Sequence, residues 1–462
     1  MADPAKTDIA PKLPDPDAVS HTMADVAERS RRIVAEWLNR QATDAPGPDP
    51  LNLGGAFFEM SARLAQNPQY LVQAGFEFWQ NYMMLWQNTA HRMLGGQAKP
   101  VIESDPKDRR FKDDAWRENE VFDFIKQSYL LSARYIQDVF KHTDELDPKS
   151  AQKLDFFARQ YIDALSPSNF VMTNPEVLRK TVETGGENLL RGLKNMLADL
   201  ERGKGRLAIK MTDMDAFKLG ENIAVSPGKV VYQNDLIQLI QYAPSTDTVL
   251  KRPLLVIPPW INKFYILDLR PKNSFVRWAV RQGHTVFVIS WVNPDAALAE
   301  KGFDDYLKEG VLASLDAIEQ ATGEREVNAI GYCLGGTLLG SSLAYMAAKG
   351  EDRVKSATFF VTLMDFGEPG ELSVFIDEAQ ISAMERKMKE RGFLEGNEMA
   401  STFNTLRAND LIWSFVVNNY LMGNDPFPFD LLYWNSDSTR MPAAMLLWYL
   451  EKIYIENGLR DR

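Results

Sequence analysis

Cysteine occurs once in the 462 residues, at position 333, and histidine four times, at 21, 91, 142 and 284. One cysteine permits no internal disulfide, and scattered imidazoles offer no ligand cluster for zinc or iron, so neither a metal nor a cofactor is expected. No apolar run approaches the roughly 18 residues that a transmembrane helix needs. The opening Met1-Ala-Asp-Pro-Ala-Lys-Thr-Asp8 lacks a signal-peptide core, which makes a reducing cytoplasm the expected setting. Positive charge is also in deficit: 52 Lys and Arg against 63 Asp and Glu leave a net charge of -11. That balance argues against nucleic acid as a partner and against adhesion to anionic lipid by charge.

What is present is a globular composition, 45% hydrophobic and 11% aromatic, in a chain long enough for more than one domain. Residues 1–50 carry the Pro-rich patches Pro11-Lys-Leu-Pro-Asp-Pro16 and Pro46-Gly-Pro-Asp-Pro50 and are expected to form a flexible arm. Over 51–203 apolar residues recur at helical spacing, which predicts a helical N-terminal domain. Its stripe Phe76, Trp79, Tyr82, Met83 and Trp86 is expected to pack against its own domain, with docking to a partner as the alternative. Asp108-Arg109-Arg110-Phe111-Lys112 reads as a solvated turn. After Lys204 the pattern changes to strands, at Arg206 to Met211, Lys229 to Tyr232, Leu236 to Tyr242, Pro253 to Pro259, His284 to Ser290, Val327 to Tyr332 and Ser356 to Leu363. Helical segments separate the last four, so an α/β core over 204–364 is expected, a mostly parallel sheet entered by an antiparallel hairpin.

Within that core, Gly331-Tyr332-Cys333-Leu334-Gly335 is flanked by a strand-like run and by helix formers. A lone cysteine is ordinarily a small buried hydrophobe. Glycines two residues to either side, on a strand-to-helix turn, instead match a nucleophile elbow with sulfur in place of oxygen. The helix N-terminus should favour the thiolate, and the Leu334 amide should face a developing oxyanion. The loop Pro258 to Tyr265 lands at the same end of the sheet, and its backbone at Trp260, Ile261 and Asn262 is the candidate second oxyanion donor.

Six stretches are similar to the class I polyhydroxyalkanoate synthases: Asp105 to Phe111, Asn169 to Pro175, Pro258 to Leu269, Gly283 to Trp291, Gly331 to Gly336 and Leu406 to Leu411. The resemblance implies an α/β-hydrolase-type core with a helical N-terminal domain, a cap inserted at 365–440 and a returning core helix begun at 441–462. It implies an acyltransferase that polymerises (R)-3-hydroxyacyl-CoA into polyester through a Cys333 thioester, releasing CoA, the thioester being substrate and not cofactor. Arg407 is then a candidate for a CoA phosphate, or else a local partner of Asp410. A homodimer, a growing polyester chain and a granule surface are the partners implied.

The family's general-base His and its Asp belong on later loops, and no histidine follows Cys333 here. The expectation is a C-terminally truncated chain, inactive alone. His284 should sit at the far end of its strand, roughly 20 Å from the elbow, and Asp365 should cap a turn. A thiol esterase or depolymerase of the same fold, or a non-catalytic partner of granules or of a full-length synthase, are the alternatives.

Overall fold

The computed structural model describes residues 24–25, 28–32, 68–141 and 147–461. Most of the arm expected at 1–50, together with His21 and His142, lies outside the described residues. The chain separates into two compact units, the described residues up to Met211 with Asn404–Pro426, and Thr212–Phe403 with Phe427–Arg462.

The first unit is helical, with α1 (Pro68–Met93), α2 (Glu120–Lys141), α3 (Pro148–Ala164) and α4 (Glu187–Arg202). α1 lays Phe78 and Tyr82 against Tyr135 and Phe124 of α2, with ring centroids 5.2 and 6.1 Å apart. The stripe the sequence suggested is divided: Tyr82 packs on α2, Trp86 meets Phe124 edge-on at 5.2 Å while remaining partly exposed, and Phe76, Trp79 and Met83 stand exposed. Arg110 is not solvated either: it pairs with Asp108 and Asp163 at 2.8 and 3.0 Å and donates to the Tyr129 hydroxyl.

α4 carries Asn404–Pro426, so the expected cap at 365–440 is divided between the units. Gly192 makes this contact possible, since a Cβ there would meet the Tyr420 carbonyl oxygen at 1.7 Å. The buried Asp199 accepts from the Tyr420 hydroxyl at 2.6 Å and from the Lys210 amide at 3.0 Å. The Asp199 bond, with Asn419 donating to the Lys210 carbonyl, takes both backbone groups of Lys210, and Arg206 to Met211 is not a strand.

The second unit holds a six-stranded sheet of β1 (Gly228–Gln233), β2 (Ile237–Tyr242), β3 (Leu254–Ile257), β4 (Val286–Trp291), β5 (Val327–Tyr332) and β6 (Val354–Phe360), in the order β1-β2-β4-β3-β5-β6. β1 and β2 form the expected hairpin, β2 runs antiparallel to β4, and β4, β3, β5 and β6 are parallel. β3 is buried on every residue, the mark of a central parallel strand covered on both faces. β1 and β6 are the edges.

Between β5 and β6 runs α5 (Leu334–Ala348). After a short antiparallel pairing of Phe393–Leu394 with Met441–Pro442, helix α6 (Ala443–Trp448) passes into a π-helical turn, Tyr449–Ile455. Met445, Leu446, Tyr449, Leu450 and Ile453 enter one core with Leu338, Leu339 and Phe366.

Candidate active site

Cys333 joins β5 to α5 with φ 52° and ψ -127°, a left-handed backbone that a side chain seldom adopts. Three neighbouring glycines explain how the turn closes. A Cβ on Gly331 would lie 2.6 Å from the Gly336 Cα, one on Gly335 would lie 2.1 Å from the Ile257 carbonyl oxygen, and one on Gly336 would strike the Thr362 side chain at 2.0 Å. The turn is held from both sides, since the Cys333 amide donates to the Phe360 carbonyl at 3.0 Å while its own carbonyl accepts from Gly336 at 2.9 Å.

The thiol is exposed on the surface, but protein packed round its other sides strips enough water to push it up from its ordinary value. The Leu334 N–H points at the sulfur and pulls the other way, by less. The expectation that the helix terminus favours the thiolate is thus corrected: the local amide acts in that direction, and desolvation outweighs it.

Close contact of Gly335 with Ile257 and Pro258 brings the β3 loop against the elbow. That loop is held by its carbonyl groups. Trp291 Nε1 donates to Pro258 O at 2.8 Å, Thr439 Oγ1 to Trp260 O at 2.7 Å, the Thr439 amide to Ile261 O at 3.4 Å, and Trp434 Nε1 to Lys263 O at 2.7 Å. Asn262 bridges Ser438. Each bond fixes a peptide plane through its oxygen, the end opposite the N–H that an oxyanion needs. Thr439, which makes two of these four bonds, had no distinguishing signal in the sequence.

The histidines do not join the elbow. Val286 lies level with Leu254, and Leu254 level with Asn328. His284 is therefore level with Glu326, seven residues before Cys333, or roughly 20 Å at 3.3 Å per residue. Its buried Nδ1 has no hydrogen-bond partner among the described residues. His91 ends α1 in the first unit. Asp365 caps a turn, accepting from the Gly367 amide at 2.9 Å, and also binds Asn457 and Arg460 at 2.8 and 3.1 Å, which together hold its carboxyl below the usual range. Arg407, in the first unit, pairs with Asp410 at 2.5 Å and lines a polar cavity of about 290 Å³ with Arg159, Asp163 and Asn409. No group of His, Cys, Asp and Glu among the described residues is placed to hold a metal.

A mostly parallel sheet with a residue of strained backbone between β5 and the helix behind it is the α/β-hydrolase arrangement, and that residue here is Cys333. Residues 273–462 match the family model for the alpha/beta hydrolase fold, and residues 107–279 match Poly-beta-hydroxybutyrate polymerase (PhaC) N-terminus. The chain is 49% identical to the poly(3-hydroxyalkanoate) polymerase of Methylorubrum extorquens, over 97% of this chain and 76% of that one. It is 47% identical to the polymerase subunit PhaC of Rhizobium meliloti, over 96% and 74%, and 43% identical to that of Cupriavidus necator, over 85% and 66%. The chain belongs to the poly(3-hydroxyalkanoate) polymerase family of acyltransferases.

Proposed function

We propose that Cys333 is the nucleophile of a poly(3-hydroxyalkanoate) polymerase acting on hydroxyacyl-CoA. The observation that carries this is the strained backbone of Cys333 at the head of α5, a conformation without packing value for an inert thiol. The sulfur attacks the acyl carbon of the CoA thioester, a carbon–sulfur bond forms, the bond to CoA breaks, and the thiol proton leaves with CoA. A hydroxyl of another hydroxyacyl unit then attacks the enzyme thioester, the ester bond forms as the acyl carbon–sulfur bond breaks, and the hydroxyl proton passes to the sulfur, restoring the thiol. The Leu334 N–H, with the amides of Ile261 and Asn262, would hold the oxyanion of each step. Thioester exchange is nearly thermoneutral, and ester formation drives the chain forward.

Because burial keeps the thiol protonated near neutral pH, attack needs a general base. None of the described histidines serves, so the base is supplied by a group other than these. Arg407 is proposed to meet a CoA phosphate, displacing its exposed contact with Asp410. Family membership favours transfer to a hydroxyl over hydrolysis, and association with the polyester surface and with a second copy are further proposals of the same reading.

The test is CoA release from (R)-3-hydroxybutyryl-CoA, followed by chromatography, for this chain and for Cys333→Ala, with and without added imidazole. Release that imidazole stimulates in the parent and that Cys333→Ala abolishes is expected. Equal release by the two proteins would sink the assignment.

A further inference from the structure

Thr439 comes shortly after the helix Asp430–Ser436 and is 2% exposed. It holds the β3 loop twice over, its Oγ1 donating to the Trp260 carbonyl at 2.7 Å and its amide to the Ile261 carbonyl at 3.4 Å. Only the first of these bonds belongs to its side chain. The two segments are joined beyond it as well, since Trp434 Nε1 donates to Lys263 O at 2.7 Å and the Tyr265 hydroxyl to Asp437 at 2.8 Å. Removing the Thr439 hydroxyl would therefore take away one bond and leave the seam closed.

That bond acts on a particular peptide. The Trp260 carbonyl and the Ile261 N–H lie in one plane and, since the peptide is trans, point opposite ways. The Trp260 indole fixes where the plane begins, being 1% exposed and packed against Tyr306 and Trp291 with ring centroids 5.1 and 6.2 Å apart. The Thr439 hydroxyl fixes its rotation, and so the direction of the N–H. Yet the Ile261 N–H has no hydrogen-bond partner among the described residues, although Ile261 is only 8% exposed. Backbone donors on buried residues are nearly always paired. A donor left unpaired and held in one direction brings the fold nothing, whereas developing negative charge would pair it.

We infer that Thr439 is a positioning residue for the oxyanion, its hydroxyl holding the Trp260–Ile261 peptide so that the Ile261 N–H meets the acyl oxygen that gains charge as the sulfur adds. The inference rests on the proposed attack by Cys333 and on the Ile261 amide as a donor in it. Without the hydroxyl, Trp260 O would be buried and unpaired, and the plane would turn toward another donor. The value of an oxyanion donor lies in its being fixed beforehand, so a freed plane weakens it even with every N–H still present.

Trifluoroacetone tests this with the whole chain. The Cys333 sulfur adds to its carbonyl carbon, a carbon–sulfur bond forms, the carbonyl π pair becomes the oxyanion, and the thiol proton passes to water. Fluorine NMR reports the affinity of that adduct, and iodoacetamide, which alkylates the sole cysteine without making an oxyanion, reports the thiol alone. Thr439→Val is expected to bind trifluoroacetone about tenfold more weakly, the scale of one hydrogen bond to a charged group, while Thr439→Ser binds as the parent does and iodoacetamide labels all three at one rate. Parent-like binding by Thr439→Val overturns the proposal. So does an equal weakening in Thr439→Ser, or iodoacetamide labelling of Thr439→Val slowed by the same factor as its binding. A parent that iodoacetamide labels but that forms no adduct overturns the oxyanion assignment and this inference with it. A parent thiol inert to iodoacetamide, yet labelled once the chain is unfolded, overturns the nucleophile reading itself.

Discussion

Gly335 is the residue on which the elbow's geometry depends most, since it lets β3 and α5 touch. In Gly335→Ala the new methyl would overlap the Ile257 carbonyl and the Pro258 backbone, neither of which can move aside. A loss of about 3 kcal/mol, the scale of forced overpacking, is expected from urea unfolding. The desolvated thiol of Cys333 should likewise make alkylation of the parent protein keep rising with pH beyond the range of a free cysteine. A profile complete below pH 8 would contradict this. At this scale the sequence was informative: the glycine spacing around Cys333 announced the turn, and strand length alone removed His284. It did not announce the thiol's protonation, because a helix terminus is visible in a string of letters and the packing that strips water from a sulfur is not.

Elements were legible where one physical rule governed them. The continuous apolar runs at β3, β4 and β5 became buried parallel strands, and the alternating run before them became a hairpin. Arg206 to Met211 misled because alternation speaks to side chains, whereas the backbone of its Lys210 is claimed by Asp199 and Asn419 from elsewhere in the chain. The π-turn was invisible for a related reason, its period being neither of the two that pattern reading tests. The division of the cap follows from Gly192, a helix-interior glycine with a carbonyl against it. Gly192→Ala should dislodge Asn404–Pro426 from α4 while leaving the sheet intact, so limited proteolysis should cut within 404–426 several times faster than in the parent. Equal cleavage rates would show that the glycine is not needed for the contact.

For the molecule as a whole, charge and composition pointed correctly to a globular chain, and in the described residues no helix is long and apolar enough to cross a membrane. The sequence also raised the apolar stripe as a docking surface, and apolar surface is what the molecule shows. α1 shows Val72, Phe76, Trp79, Met83 and Trp86, and the β6 edge is followed by Val361, 92% exposed. A free strand edge bearing apolar side chains is a template for association. The chain should therefore elute larger as its concentration rises, and Trp79→Glu or Val361→Lys should reduce that growth. A concentration-independent monomer would remove the prediction. The left-handed backbone at Cys333 has one more consequence for the molecule. It burdens the folded state whether or not the sulfur ever reacts, and only glycine escapes it. Cys333→Gly should therefore melt higher than Cys333→Ala by a few degrees. With Cys333 in its proposed role, durability and reactivity compete for one position, and selection for heat resistance alone would be expected to give up the cysteine.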